Sequence, residues 1–341
     1  MSFWESLPRP FFAMAPLKDV TDAAFRALVA KRGKPDVFWT EFVAADGLYH
    51  LCEIQKVPDA KNPLMRDLTF DANQHPIVAQ IFSSKPEMIA YATELISRLG
   101  SDVGSRGPNR ERRGFDGVDI NMGCPDRTVE KQGAGAALIK NPKRAQNIIR
   151  AAQEASSLPV SVKTRIGYNK ESLDEWLTAL LEMRPAAITL HLRTRKEMSA
   201  VPADWERMKL AIALRNKLSP ETLLIGNGDV KSLEEGKQLA GEAGCDGIMI
   251  GRGIFGNPWL FSRSGNNPER SRGSQSLEEK LKALTELAHS FEKLSPPKSF
   301  AILKKHIKAF VTGFPGAADL RVRFMKAENA AELENQIKTF L

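Results

Sequence analysis

Short β-rich runs and amphipathic stretches alternate along the first three quarters of this chain. The apolar, β-branched runs fall at 11–16, 37–41, 76–82, 117–121, 159–164, 186–191, 222–227 and 247–251. Between them, residues 22–31, 86–99, 142–155, 173–183, 204–218 and 232–243 place apolar side chains at helical spacing. Such alternation predicts a parallel sheet with crossover helices. Eight units of this kind close into a (β/α)8 TIM barrel, whereas an open doubly wound sheet has fewer strands and a Gly-rich first turn. No G-x-G-x-x-G follows the first strand.

Two stretches break the alternation. Residues 42–75, with Cys52, Pro58 and Pro63, show no clear crossover helix and predict an irregular return from the second strand. Residues 101–114 form a Gly- and Arg-rich loop with four arginines against Asp102 and Glu111. Both a solvated insertion and a phosphate-contacting loop fit that composition.

After Phe261 the chain turns polar, and 262–276 reads as a linker. From Leu277 the pattern is helical to the end: 277–294, 298–312, a break at Gly313-Phe-Pro-Gly316, and two shorter helices through Leu341. The expected division is a barrel domain over 1–261, a linker over 262–276 and a small all-helical domain over 277–341. A length of 341 residues suits this plan, since such a barrel takes about 250.

Charge is distributed unevenly over these parts. The whole chain carries a formal net charge of +8, and residues 263–341 hold 14 Lys and Arg against 9 Asp and Glu. An appendage with most of the excess positive charge points to a nucleic-acid partner. The three cysteines, Cys52, Cys124 and Cys245, lie far apart without metal-ligand spacing, which argues against a disulfide framework and against zinc. Neither an export signal nor a membrane-spanning run is evident, and a cytoplasmic, monomeric protein without membrane contacts is expected.

In a barrel of this kind the site forms at the C-terminal ends of the strands. Those ends read Pro16, Glu41, Gln80, Asn121 with Cys124, Lys163 with Arg165, His191 with Arg193, Asn227 with Asp229, and Gly251 with Arg252. Asn121-Met-Gly-Cys-Pro125 places a thiol where the fourth strand gives way to a loop, and a thiol there can serve as an acid. Gly226-Asn-Gly-Asp229 and Gly251-Arg-Gly253 are either tight turns or, occurring on adjacent strands, a phosphate cradle. Lys163 either donates to developing negative charge or ends its strand in solvent. His191 is a core histidine, a ligand contact or an acid-base group. The Gln80 amide needs partners that a heterocycle edge or a backbone group would supply. Cys52 and Cys245, with no base or motif beside them, read as structural.

Taken together, the motifs resemble the tRNA-dihydrouridine synthases over almost the whole chain. The resemblance rests on Ala15-Pro-Leu17 with Val20-Thr-Asp22, Asn121-Met-Gly-Cys-Pro125 with Gly133-Ala-Gly-Ala136, Val162-Lys-Thr-Arg165 and His191-Leu-Arg-Thr194. Ala203-Asp-Trp205, Ile225-Gly-Asn-Gly-Asp229, Asp246 to Gly253, and Lys305-His306 with Gly313 to Arg321 add to it. Leu17 and Leu192 depart from the commoner Met and Gly at their positions.

The resemblance implies an FMN-dependent oxidoreductase that uses NADPH to reduce uridine in tRNA, with a helical RNA-binding domain and no DNA partner. It implies Cys124 as proton donor to uracil C5. It places Ala15, Pro16, Leu17, Gln80, Lys163 and His191 at the flavin, and Asn227, Gly228, Asp229, Gly251 and Arg252 at its tail and phosphate. Asn121, Arg165 and Arg193 fall to the substrate. Extruding a base from folded RNA would explain the basic appendage, and affinity should depend strongly on salt. The alternative in the same fold is a flavin reductase for small pyrimidines or enones, for which the basic tail would be incidental.

Overall fold

The computed structural model describes residues 2–102, 114–263 and 275–341. Most of the Arg-rich insertion and most of the expected linker lie outside these residues. Among the described residues nine strands form one parallel sheet: β1 (Phe11–Met14), β2 (Phe38–Trp39), β3 (Val43–Ala44), β4 (Ile77–Phe82), β5 (Gly117–Met122), β6 (Val160–Arg165), β7 (Ala187–His191), β8 (Leu223–Asn227) and β9 (Gly247–Ile250). Their order is β1-β9-β8-β7-β6-β5-β4-β2, with β3 also on β4. The ring closes where Ala13 pairs with Val37 and the Met14 N–H donates to the Val37 carbonyl at 3.2 Å. The expected barrel is therefore present.

Its second stave differs from the single strand expected at 37–41. Phe38 lies opposite Ile77 but Val43 lies opposite Ile81, so the register slips by one residue within Thr40–Phe42. An extra residue of this kind is a bulge, which bends the strand and re-aims its side chains. Glu41 falls inside it. Its carboxylate is fully buried and meets Lys298 of the C-terminal helices at 2.6 Å, away from the barrel mouth. The stretch that follows is also more ordered than expected, with short helical segments at Ala45–Tyr49, His50–Ile54 and Pro63–Asp67. The last begins at Pro63 because the Asn62 side chain accepts from Leu64 N at 2.9 Å.

Strand alternation divides the apolar residues into two cores. Phe11, Ala13, Trp39, Val78, Ala187, Ile225 and Met249 form one cluster, onto which Trp4 packs 6.0 Å from Trp39. Their neighbours of opposite parity, among them Phe12, Met14, Ile120, Val162 and Leu190, face the helices. Those helices are α1 (Ala23–Arg32), α2 (Pro86–Asp102), α3 (Pro142–Ala155), α4 (Leu173–Leu181), α5 (Glu206–Leu218) and α6 (Leu233–Ala243). Caps fix several starts: the Asp22 carboxylate accepts from Phe25 N at 3.0 Å for α1, and Ser232 caps α6.

Helices α7 (Leu277–Glu292), α8 (Phe300–Phe310), α9 (Ala317–Phe324) and α10 (Ala330–Phe340) form the C-terminal bundle. A reciprocal capping box between Ser276 and Glu279 starts α7. The bundle shares its core with the barrel shell: Phe25, Leu28 and Val29 belong to the same apolar cluster as Leu284, Leu303 and Phe310. Among the described residues no helix is long and apolar enough to cross a membrane.

Candidate active site

At the C-terminal mouth of the barrel a cleft of ≈ 1060 Å³ opens. Ala15, Pro16, Leu17, Asn121, Cys124, Lys163, Arg165, His191, Asn227, Gly228, Asp229, Gly251 and Arg252 all line it. Parallel register brings them together: Asn121 is opposite Lys163, Arg165 opposite His191, and His191 opposite Asn227. From one strand end to the next these residues lie at least 22 positions apart in sequence, as Asp229 and Gly251 do, yet in the barrel they share one rim.

Besides Glu41, two expected residues do not reach the cleft. Gln80 is fully buried beneath Asn121: its Nε2 donates to Asp119 Oδ2 at 2.7 Å and its Oε1 accepts from Asn121 Nδ2 at 3.1 Å. Arg193 is also buried, donating to Val201 O at 2.6 Å, to His191 Nε2 at 3.2 Å and to the Asp229 carboxylate. Both hold cleft residues from behind.

The thiol-bearing loop is fixed by Asn121, whose Oδ1 accepts from Gly123 N at 3.1 Å and from Cys124 N at 2.9 Å. Polarity along this path is set at both ends. Asp119, when ionised, only accepts, and backbone N–H groups only donate, so the two amides between them each have one satisfactory orientation. Ser161 Oγ donates to the other Asp119 oxygen at 2.6 Å, and burial pushes the Asp119 carboxyl up to about 6 against those two hydrogen bonds. Nothing in the strand pattern marks Asp119 as different from an ordinary polar residue in a strand, which is why the sequence reading passed over it.

Cys124 sits in an apolar niche. Phe42, Ala44, Phe82 and Val129 line the cleft on its side, and Phe42 meets Phe82 edge-on at 5.6 Å. Desolvation raises the thiol above its ordinary pKa and the Asp126 carboxylate adds to the rise, while a hydrogen bond from the Asp126 backbone, Lys163 and Arg165 oppose it. A neutral thiol is the result at physiological pH, which suits an acid better than a nucleophile. Gly135 makes the turn possible, since at φ +59 a Cβ would lie 2.7 Å from the Cys124 carbonyl. Arg165 completes the frame by donating to Gly123 O at 2.8 Å.

The opposite wall is cationic. Lys163 Nζ donates to Asn227 Oδ1 at 3.3 Å, and burial together with Arg165 lowers its pKa to about 8. His191 accepts from Arg193 at Nε2, so its proton is on Nδ1; burial and the surrounding cations keep the ring neutral. Beyond them, Asp229 adopts a left-handed backbone, φ 60, and accepts from Ala203 N at 2.9 Å, from Arg193 and from Arg252 at 2.7 Å. Cys52 accepts from Asn62 Nδ2 at 3.4 Å, and Cys245 is buried; neither lines the cleft.

Residues 13–341 match the family model described as "Dihydrouridine synthase (Dus)". A probable tRNA-dihydrouridine synthase of Staphylococcus aureus strain Mu50 is 38% identical over 340 residues, covering 99% of this chain and 95% of that one. The probable tRNA-dihydrouridine synthase 2 of Bacillus subtilis strain 168 is 39% identical, with 99% and 96% covered. Among solved structures, histamine dehydrogenase from Rhizobium sp. 4-9 is similar with a TM-score of 0.50 at 12% identity, covering 82% of this chain and 49% of its own. A 2-naphthoyl-CoA reductase has a TM-score of 0.50 at 10% identity, with 73% and 49% covered. The structural likenesses are of fold alone.

Proposed function

This chain belongs to the dihydrouridine synthase family, and from that premise we propose that its cleft reduces the C5–C6 double bond of uridines in tRNA, with flavin mononucleotide reduced by NADPH. The observation that carries the reading is the Cys124 thiol, held neutral on one side of a cleft whose other side is cationic.

The residues present fit that cofactor. Ala15, Pro16 and Leu17 offer an apolar wall to a planar ring, and a side chain at Gly251 would enter the cleft 3.6 Å from the Ala15 Cβ. Lys163, Asn227 and the His191 Nδ1–H supply polar contacts for ring and ribityl chain. Gly228, Asp229 and Arg252 stand where a tail would end, with the Arg252 side chain 59% exposed and able to meet a phosphate. When bound, the reduced flavin supplies hydride to C6 of the uracil.

The remaining chemistry belongs to the protein. Hydride addition at C6 leaves electron density at C5 and the C4 carbonyl, and Cys124 Sγ delivers the proton that C5 requires. Lys163 stabilises the negative charge on the cationic side while it is protonated. The Asn121 oxygen holds the Cys124 loop and one Nδ2 hydrogen goes to Gln80, which leaves the second Nδ2 hydrogen for the base, so Asn121 would orient the base and the acid together. Arg165 acts on the substrate side by fixing Gly123, and Arg193 fixes His191 on the cofactor side. A uridine reaches this depth only after leaving its stack. The five-charge basic excess of residues 263–341 supports RNA binding by the C-terminal bundle, which we take as the RNA-facing domain of a barrel enzyme.

Position-resolved mapping of dihydrouridine in tRNA from cells with and without this protein tests the proposal. Loss of the modification at one or more positions is expected. An unchanged map would contradict it.

A further inference from the structure

Directly behind the apolar wall of the cleft, the C-terminal bundle reaches into the barrel. The segment leaving β1 lines the cleft through Leu17 and Lys18 and ends at Val20. Both polar groups of Val20 are engaged. Its N–H is shared between Leu17 O at 3.0 Å and Glu41 Oε1 at 3.2 Å, and its carbonyl accepts from His306 Nε2 of α8 at 3.1 Å. A carbonyl can only accept, so the His306 proton is on Nε2.

Glu41 is itself held from the bundle. Lys298 Nζ lies 2.6 Å from Glu41 Oε2, 3.4 Å from Asp67 and 3.9 Å from Asp22, with the Lys298, Glu41 and Asp67 side chains 3%, 0% and 2% exposed. Asp67 turns its other oxygen to Lys18, at 2.7 Å, on the cleft side. One lysine thus sits among three buried carboxylates, and its removal would take from Glu41 the cation it touches, while Asp67 keeps Lys18 and Arg66.

The same helix also supports the loop after β9. Gly256 has φ +70, and a Cβ there would lie 2.3 Å from the Ala309 carbonyl. Backbone therefore meets backbone just beyond Arg252-Gly253. The loops of β1 and β9, which follow adjacent strands and together line the proposed cofactor site, both rest on α8 and the residue two positions before it.

We propose that the C-terminal bundle completes the cofactor site, with Lys298 and His306 as positioning residues that hold the 15–20 wall in its binding shape. This goes beyond RNA recognition, and it rests on the flavin reading above. A well-placed ligand contact needs a second layer that locks it, and here that layer comes from the far end of the chain.

The test uses full-length protein freed of cofactor. Lys298→Met and His306→Phe are compared with His306→Gln, which restores a donor to Val20, and with Lys308→Gln, an exposed residue of the same helix. Amide hydrogen exchange over residues 15–22 and the dissociation constant for added flavin mononucleotide are measured. Both disruptive variants should exchange faster at 15–22 and bind the flavin at least tenfold more weakly, with His306→Gln close to wild type and Lys308→Gln unchanged. Should Lys298→Met not fold, the His306 pair carries the comparison. Wild-type exchange at 15–22 in the folded disruptive variants, or unaltered flavin affinity, overturns the inference. A wild-type protein that binds no flavin sinks the underlying reading instead, while exchange still reports whether the bundle orders the wall.

Discussion

The side-chain oxygen of Asn121 lies 2.9 Å from the backbone nitrogen of Cys124, so the penultimate residue of β5 also sets the position of the thiol three residues later. Gln80 and Asp119 hold Asn121 in turn. The account predicts that Asn121→Ala frees the Gly123 and Cys124 N–H groups and costs about 1–3 kcal/mol of stability. Turnover on tRNA should fall further than that loss explains, by about tenfold to a hundredfold, because the acid is misplaced. Denaturant melts and single-turnover rates on the same preparation check both parts. Wild-type turnover in the variant would show that the loop holds the thiol without Asn121.

Lys163 gives a pH dependence of definite sign. Its pKa is lowered to about 8, chiefly by burial and then by Arg165, so its positive charge is present below that value and disappears as pH rises through it. Reduction of tRNA should decline on that alkaline limb. Lys163→Met should be slow throughout and lose the limb. Rates at saturating substrate between pH 6.5 and 9.5 provide the measurement, and an alkaline limb retained in Lys163→Met would assign it to another group.

His306 gives a stability dependence. Burial lowers its pKa from 6.5 to about 4, against the Val20 hydrogen bond that raises it. Between those values the unfolded chain binds a proton that the native ring does not, so stability falls as pH drops from 6.5 towards 4. The difference corresponds to about 3 kcal/mol. Urea titrations across that range should show wild type losing roughly this much more than His306→Gln. Parallel losses in the two proteins would mean that the ring is protonated in the fold.

The barrel and most of the site were legible in the sequence because parallel strands end at one rim. A list of strand-terminal side chains is then close to a list of cleft residues, and Cys124, Lys163, His191, Asn227 and Arg252 were found that way. Strand ends do not reveal depth. Gln80 lies two residues before the end of β4 and Arg193 two residues past the end of β7, and their side chains turn beneath and behind the wall, where they meet Asp119 and Asp229. The bulge at Thr40–Phe42 was likewise hidden, since a one-residue slip leaves the apolar run intact while sending Glu41 elsewhere. Its partner Lys298 lies 257 positions away, and no local periodicity links residues at such a separation. Long-range ionic contacts between a barrel loop and a terminal helix emerge only when the elements are packed.

The central claim is that Cys124 gives its proton to the reduced base. Cys124→Ser retains the shape of the side chain while replacing the thiol by a much weaker acid. Oxidation of the pre-reduced holoenzyme by unmodified tRNA should slow by about two to four orders of magnitude in this variant, while NADPH reduces its flavin at the wild-type rate. Equal rates of tRNA-dependent oxidation in Cys124→Ser and wild type would contradict the account.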